Sequence, residues 1–399
     1  MIVLGVGGGI AAYKACEVLR GLTEAGHTVR VVPTAAALHF VGAATWAALS
    51  GQPVASDVWD DAHEVPHVRI GREATLVLVV PATADLMAKA AHGLADDLLT
   101  STLLTATGPV VFVPAMHTEM WEHAATRANV DLLRRRGVVV VEPAVGRLTG
   151  ADSGKGRLPE PEAVLALVAR LLARGSAGPD LAGRTVVVSA GGTREPIDPV
   201  RYVGNRSSGR QGYALALAAA ARGAKVVLVS ANVSLPEPAG VDVVRVSTAA
   251  ELGVAVRAAA GSADAVVMAA AVADFRPSEV PVSKIKKSGG APAPIVLEPT
   301  EDVLAGLVAA RTRPEQVVVG FAAETGDADL SWLDHGRAKL AAKGCDLLVV
   351  NQVGDGIGFE VPDNAAVVLG ADGSETEVTR GPKEALADVV WDLVAARLA

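Results

Sequence analysis

Two doubly wound α/β domains in tandem are what this sequence predicts, on three observations. Short β-branched runs alternate with Ala- and Leu-rich helical stretches along the whole chain, the pattern of βαβ units. Half of the 399 residues are hydrophobic yet only 3% are aromatic, which suits parallel sheets covered by closely packed helices. Two glycine-rich turns follow strand-like runs, Gly7-Gly8-Gly9 after 2–6 and Gly191-Gly192 after 186–190. Each sets bare backbone N–H groups where a helix or loop begins, a geometry that suits phosphate. One such turn in each half implies two nucleotide-type ligands and two reactions.

The elements follow in order. In the first half the strands read 2–6, 29–32, 76–80, 110–113 and 138–141, with helices over 11–25 and 118–136 between them. The interval 51–71 is polar, holds His63 and His67, and reads as an active-site loop. The interval 142–161 is Gly-rich and irregular, and a helix follows over 161–173. Linker residues concentrate over 174–183, which predicts domains at 1–174 and 184–399 joined by a linker over 175–183. The second half has strands at 185–189, 226–229, 265–268, 317–320 and 347–350. A hairpin (366–369, then 375–379) and a closing helix from Lys383 complete it.

A formal charge of −8 argues against a general nucleic-acid binder. Cys16 and Cys345 form neither a disulfide framework nor a zinc site by themselves, which fits a reducing cytoplasm. No apolar run reaches the roughly 18–20 residues of a membrane span. The opening 2–6 lacks a basic leader and is interrupted by glycines, so it reads as a strand of a soluble chain.

Neither glycine cluster matches the dinucleotide fingerprint: Ile10 stands where the third glycine belongs, and no acidic residue closes the second strand. Glycine spacing alone leaves a mononucleotide, a dinucleotide or a merely tight turn open. Gly9-Ile10-Ala11-Ala12-Tyr13-Lys14, Pro81-Ala82-Thr83-Ala84-Asp85 and Pro114-Ala115-Met116 together resemble the flavin-dependent cysteine decarboxylases. The second half resembles phosphopantothenate–cysteine ligases. Over nearly the whole length the chain is similar to the bacterial bifunctional coenzyme A biosynthesis proteins.

That resemblance refines the fold to a flavodoxin-like, flavin-binding half followed by a Rossmann-like, nucleotide-binding ligase half. It implies FMN in the first half, its phosphate end held by Gly8, Gly9, Ile10, Ala11 and Thr34, with Thr83 and the 95–101 segment including Ser101 along the rest. Decarboxylating a cysteine amide needs an electron sink, and a flavin that oxidises the thiol provides one. His67 matches the family's catalytic histidine, and an imidazole's ordinary pKa near 6.5 suits proton exchange or carboxylate positioning. The resemblance places Met116 and the next residue against substrate; the family has Asn there, whose amide binds the substrate carboxylate, and this chain has His117, which can donate a hydrogen bond in that role. The family's flap cysteine, which protonates the enethiol intermediate, falls at Gly150 within 148–158, so another group or water must donate.

In the second half, 198–212 is the most distinctive stretch. Ser207 and Ser208 are natural caps for the following helix, and Arg201, Arg206 and Arg210 offer guanidinium groups to phosphate; a capped helix with solvated arginines is the alternative. The resemblance assigns Asn205 to an acyl-nucleotide intermediate, where an amide can donate to the acyl carbonyl. It assigns CTP to Met268, Ala269, Ala270, Asp274, Lys284, Glu301, Asp302, Val303, Leu304, Phe321, Lys339 and Lys343, with 283–290 a cover over substrate. Lys339 and Lys343, at i and i+4, would share one helical face. Thr300-Glu301-Asp302 stands where the family has Asn-Pro-Asp. The implied partners are 4′-phosphopantothenate, cysteine, CTP and Mg2+, with no visible metal-ligand cluster, in a homo-oligomer built from trimers of the flavin half and dimers of the ligase half. Two other readings compete: an active ligase carrying a decarboxylase-dead flavin domain as an assembly core, and an NAD-dependent dehydrogenase.

Overall fold

The structure, a computed structural model, describes residues 1–54, 65–148, 152–175, 178–286, 294–325, 330–352 and 363–399. They fall into two compact units. One comprises Met1–Gly183 with Ala220–Lys225 and Glu237–Val241; the other comprises Arg184–Ala219, Val226–Pro236 and Asp242–Ala399.

The first unit is built on five strands, β1 (Ile2–Val6), β2 (Val29–Pro33), β3 (Leu76–Ala82), β4 (Val110–Pro114) and β5 (Val139–Val140), in parallel order β2-β1-β3-β4-β5. β1 and β3 are buried at every position, which is why they read as unbroken apolar runs without alternation. The helices are α1 (Ala12–Glu24), α2 (Ala43–Ser50), α3 (Pro66–Glu73), α4 (Ala84–His92), α5 (Leu98–Thr105), α6 (Thr118–Glu122), α7 (Ala124–Arg135) and α8 (Pro161–Arg174). α1 buries Ala12, Ala15, Val18, Leu19 and Leu22, one face at helical spacing. β6 (Ala144–Arg147) and β7 (Ser153–Arg157) form an antiparallel hairpin.

The second unit carries an eight-stranded sheet. Its strands are β8 (Thr185–Gly191), β11 (Lys225–Ala231), β12 (Val241–Val246), β13 (Ala265–Met268), β16 (Val317–Glu324), β17 (Leu347–Gln352), β18 (Asp363–Gly370) and β19 (Glu375–Pro382), in the order β12-β11-β8-β13-β16-β17-β18-β19. β8, β13, β16 and β17 run parallel, and β18 and β19 close the sheet as an antiparallel hairpin. Two small antiparallel pairs lie outside the sheet: β9 (Arg194–Pro196) with β10 (Tyr202–Gly204), and β14 (Phe275–Pro277) with β15 (Leu297–Pro299). The helices are α9 (Arg210–Ala221), α10 (Ala249–Ala260), α11 (Val303–Ala309), α12 (Trp332–Lys343) and α13 (Lys383–Leu398).

The predicted class, two doubly wound α/β domains, is what forms, and strand order separates the two halves as the resemblance implied. The first unit has the flavodoxin-type order 2-1-3-4-5, and the second begins with the dinucleotide-type order 3-2-1-4-5-6. Each order places a switch point where the chain leaves one strand outward and later returns on its other side. It lies between β1 and β3 in one unit and between β8 and β13 in the other. Both glycine turns sit at these points.

Local expectations need five corrections. The single helix expected over 118–136 breaks into α6 and α7 at His123, whose Nδ1 accepts from Ala125 N at 3.2 Å and starts the second helix. The loop expected over 51–71 ends in α3, with Pro66 in its first turn; His63 lies outside the described residues. The interval 142–161 holds the β6–β7 hairpin, and β12 was not foreseen. Ser207 Oγ accepts from Gly209 N at 3.4 Å, one residue short of α9, where a helix cap was expected.

Candidate active sites at two switch points

In the first unit the turn after β1 is packed by backbone. Gly7 N donates to Pro81 O at 3.0 Å, and Thr34 N donates to Val6 O at 2.9 Å. A Cβ at Gly8 would stand 2.3 Å from Ala36 Cβ, so only glycine fits. A Cβ at Gly9 would meet nothing nearer than Thr83 Cγ2 at 3.9 Å, leaving open space beside it. The carboxyl ends of β1, β2 and β3 thus gather Gly8, Gly9, Thr34 and Thr83 at one crevice, with exposed Ile10 and then Ala11 leading into α1. Thr83 Oγ1 accepts from Leu86 N at 3.2 Å and caps α4. Ser101 follows on α5, whose Asp97–Thr100 capping box starts the helix and whose Leu99 packs under Gly5.

Met116 and His117 leave the same edge of the sheet, since Ala115 N donates to Ala82 O at 3.2 Å. The hairpin seats on them: Met116 N donates to Gly156 O at 3.0 Å. Gly156 has φ +153°, and a Cβ there would stand 2.2 Å from Met116 O. Glu142, at the hairpin's root, is 3% exposed and binds Arg134 Nη2 and Lys155 Nζ, each at 2.8 Å. Burial pushes its carboxyl up, but the two cations outweigh it and hold the pKa at about 2. His117 Nδ1 lies 3.8 Å from Asp152 Oδ2; Gly150 lies outside the described residues.

His67 occupies the first turn of α3, which packs on α5; its backbone oxygen accepts from Thr105 Oγ1 at 2.8 Å. Its Nδ1 is buried and has no hydrogen-bond partner among the described residues, an acceptor or donor left over for something else.

In the second unit the ends of β8 and β13 are laced together. Thr193 N donates to Ala271 O at 3.2 Å, and the buried Thr193 Oγ1 accepts from Ala273 N at 2.9 Å. Asn205 Nδ2 donates to Val272 O at 2.9 Å, and Gly192 is needed because a Cβ there would stand 2.6 Å from Asn205 O. Two cavities open here and share Ala270. One takes Ala269, Phe321, the Ser207–Gly212 segment leading into α9, and Asn351, whose Oδ1 is buried without a hydrogen-bond partner among the described residues. The other takes Met268, Asp274, Glu301, Asp302, Val303, Leu304 and Lys343.

Most of the residues assigned to CTP are therefore brought together, while Lys284 and Lys339 line neither cavity. The two lysines expected to face phosphate are each matched by a carboxylate. Lys339 Nζ meets Glu324 Oε1 at 2.5 Å, and Lys343 pairs with Asp302. Burial pushes the Asp302 carboxyl up, but Lys343 and two backbone N–H groups hold it below the usual range. Glu301 accepts from Arg257 Nη1 at 2.6 Å. Among the described residues, Asp, Glu, His and Cys form no group of three fit for a metal ion.

Arg201 also differs from a phosphate-facing arginine. Its guanidinium is bound by Asp198 (Nε at 3.0 Å, Nη2 at 2.5 Å) and by Ile285 O at 2.8 Å. Asp198 is buried and further accepts from the N–H groups of Val200, Arg201 and Ile285. Arg201 above all, then those N–H groups, hold its carboxyl well below the usual range. The sequence reading missed this anchor, although an Asp that turns the chain onto its own backbone two residues on is a known turn signal. Arg206 and Arg210 have no side-chain partner among the described residues. Asp198→Asn is expected to untether the segment around Ile285, so that limited trypsin cuts at Lys284 and Lys286 at least about tenfold faster while the sheet stays folded. An unchanged cleavage rate refutes the anchor.

Residues 1–173 match the Flavoprotein family model, and residues 181–398 match the model for the DNA/pantothenate metabolism flavoprotein C-terminal domain. The chain is 59% identical, over 404 residues, to the coenzyme A biosynthesis bifunctional protein CoaBC of Mycobacterium tuberculosis, covering 100% of this chain and 97% of that protein. It is 42% identical over 381 residues to the Bacillus subtilis protein of the same name, covering 94% and 92%. Among solved structures it is similar to the C-terminal domain of a CoaBC protein, at 33% identity and a TM-score of 0.46, covering 55% of this chain and 98% of that one. No described helix is long and apolar enough to cross a membrane.

Proposed function

Because this chain belongs to the family of bifunctional coenzyme A biosynthesis proteins, we propose that it makes 4′-phosphopantetheine in two steps. Residues 184–399 ligate 4′-phosphopantothenate to cysteine using CTP. Residues 1–174, joined through 175–183, decarboxylate the product with FMN. The observation that carries this reading is the pair of switch-point crevices, each with its own glycine turn and its own set of matched residues.

In the ligase half the substrate carboxylate attacks the α-phosphorus of CTP, giving an acyl-CMP anhydride and pyrophosphate, and the cysteine amine then displaces CMP. Asn205 spends one amide hydrogen on Val272 O and has a second for the acyl oxygen as charge develops there. On this reading Arg206 and Arg210, which have no side-chain partner among the described residues, take phosphate, and Lys284, on the segment tethered by Asp198, takes the triphosphate although it lines neither cavity. Mg2+ would accompany the triphosphate; among the described residues Asp, Glu, His and Cys build no cage for it, and no step is assigned to it.

The first crevice fits FMN on one count: a Cβ at Gly9 would meet Thr83 Cγ2 only at 3.9 Å, so no described side chain crowds the backbone N–H groups that lead into α1, where a phosphate would sit. When bound, FMN supplies the reversible two-electron oxidation of the cysteine thiol that lets CO2 depart. His67 exchanges a proton with the substrate or steadies its carboxylate, with its otherwise unpartnered Nδ1 as support. We assign it to a neighbouring subunit's flavin, in trimers of this half. Exposed Tyr202, Phe275, Val282, Val296 and Leu297 support dimers of the ligase half. Free thiols at Cys16 and Cys345 support a cytoplasmic setting.

The test supplies CTP, cysteine and 4′-phosphopantothenate to the purified protein. A yellow sample absorbing near ~450 nm that consumes CTP and yields 4′-phosphopantetheine by mass spectrometry is expected. A colourless sample after incubation with FMN that never consumes CTP overturns the reading. Product that stops at 4′-phosphopantothenoylcysteine gives the decarboxylase-dead alternative.

A further inference from the structure

Resting on the decarboxylase reading, we propose that His117, oriented by Asp152 of the β6–β7 hairpin, is the acid that protonates the carbon from which CO2 has left. The ring stands at the carboxyl edge of the sheet, on the segment that Ala115 ties to the strand end before Thr83. The hairpin closes over that segment through Gly156 O, and Gly154 comes so near that a Cβ there would stand 2.3 Å from Thr118 Oγ1. Asp152 Oδ2 stands 3.8 Å from Nδ1 across this seam, an ion-pair contact beyond hydrogen-bond reach that puts the carboxylate on the Nδ1 side of the ring, and the proposal gives Nε2 to substrate. With 44% of its side chain exposed, the ring is open both to a ligand and to water that recharges it.

Among the described residues, the basic side chains of β7, the His123 ring and the two cysteines are committed or unsuited. Lys155 is held by Glu142 and Arg157 by Glu160, and neither type is an effective acid near neutral pH. The His123 ring caps α7. Cys16 belongs to α1, and Cys345 is buried in the other unit. An imidazole is the side chain whose ordinary pKa suits both giving a proton and being recharged.

The step balances. Loss of CO2 from the oxidised substrate leaves an enethiolate. Imidazolium Nε2–H gives its proton to the carbon that carried the carboxylate. The carbon–carbon π pair becomes the new C–H bond, and a sulfur lone pair becomes the C=S bond. The ring is left neutral, and the thioaldehyde takes back the two electrons removed at the start.

The experiment uses the full-length, FMN-loaded protein and 4′-phosphopantothenoylcysteine. His117→Asn, and His117→Gln as a second variant, are expected to bleach the flavin and release CO2 for one turnover. Product formation then falls about 100-fold or more, and an enethiol two hydrogens lighter than 4′-phosphopantetheine accumulates by mass spectrometry while the flavin stays bleached. Independently of turnover, ring 15N spectra of the resting protein should show the His117 Nδ1 signal moving in Asp152→Asn. Variants that form product at the wild-type rate overturn the proposal, as do variants that lose bleaching and CO2 release along with product. A wild-type protein that neither bleaches nor releases CO2 refutes the decarboxylase reading itself, an outcome separate from both.

Discussion

Glu142→Gln is expected to release the β6–β7 hairpin and destabilise the first unit by about 3–5 kcal/mol, because removing one partner of a buried charge cluster strands the others. Here the stranded groups are Arg134 and Lys155, both mostly buried beside a carboxylate that is 3% exposed. The pH dependence follows in sign. The carboxyl falls from 4.5 to about 2 on folding, so its stabilisation is complete above about pH 4.5 and is lost as pH drops toward 2. A depression of that size is worth roughly 3 kcal/mol at about 1.4 kcal/mol for each unit. Urea unfolding at pH 7 and at pH 3 checks it. Wild type should lose stability on acidification by more than the variant does, and equal midpoints for both proteins at pH 7 refute the clamp.

Asn205→Ala should slow ligation by about 10²–10³-fold, the usual loss when one donor to a developing oxyanion is removed. The backbone there is fixed independently, since Gly192 and Asn205 O are in near contact and β9 pairs with β10, so the substitution removes the amide without moving the loop. Decarboxylation of supplied 4′-phosphopantothenoylcysteine should be unaffected. Pyrophosphate release dependent on phosphopantothenate and CTP, continuing at an undiminished overall rate, overturns the role.

What was legible in the sequence was what neighbouring residues decide. Apolar runs gave the central strands, and glycines after β1 and β8 marked the switch points. The clustering of Met268, Asp274 and 301–304 followed from matched motifs, since β13 and α11 bring distant segments to one cavity. Less legible were pairings set by the fold. That Lys343 would meet Asp302 and Lys339 would meet Glu324 is written in no local pattern. The 142–161 interval read as irregular because Gly146, Gly154 and Gly156 hide strand periodicity, yet Gly154 and Gly156 are there because the hairpin lies hard against Met116 and Thr118. Pro66 did carry a signal for α3, as proline favours the first turn of a helix. Asp198 was quoted in the motif but drew no role, because its contact with Ile285 spans the gap between two loops.

Lys284 and Lys286 are exposed and have no carboxylate partner among the described residues, whereas Lys339 and Lys343 are matched. In a chain of net charge −8, two unmatched ammonium groups on a tethered segment form a local positive spot that attracts polyanions over a distance of about 10 Å at 0.1 M salt. If the proposed ligase reading holds, capture of CTP should therefore weaken as ionic strength rises, and Lys284→Gln should flatten that dependence.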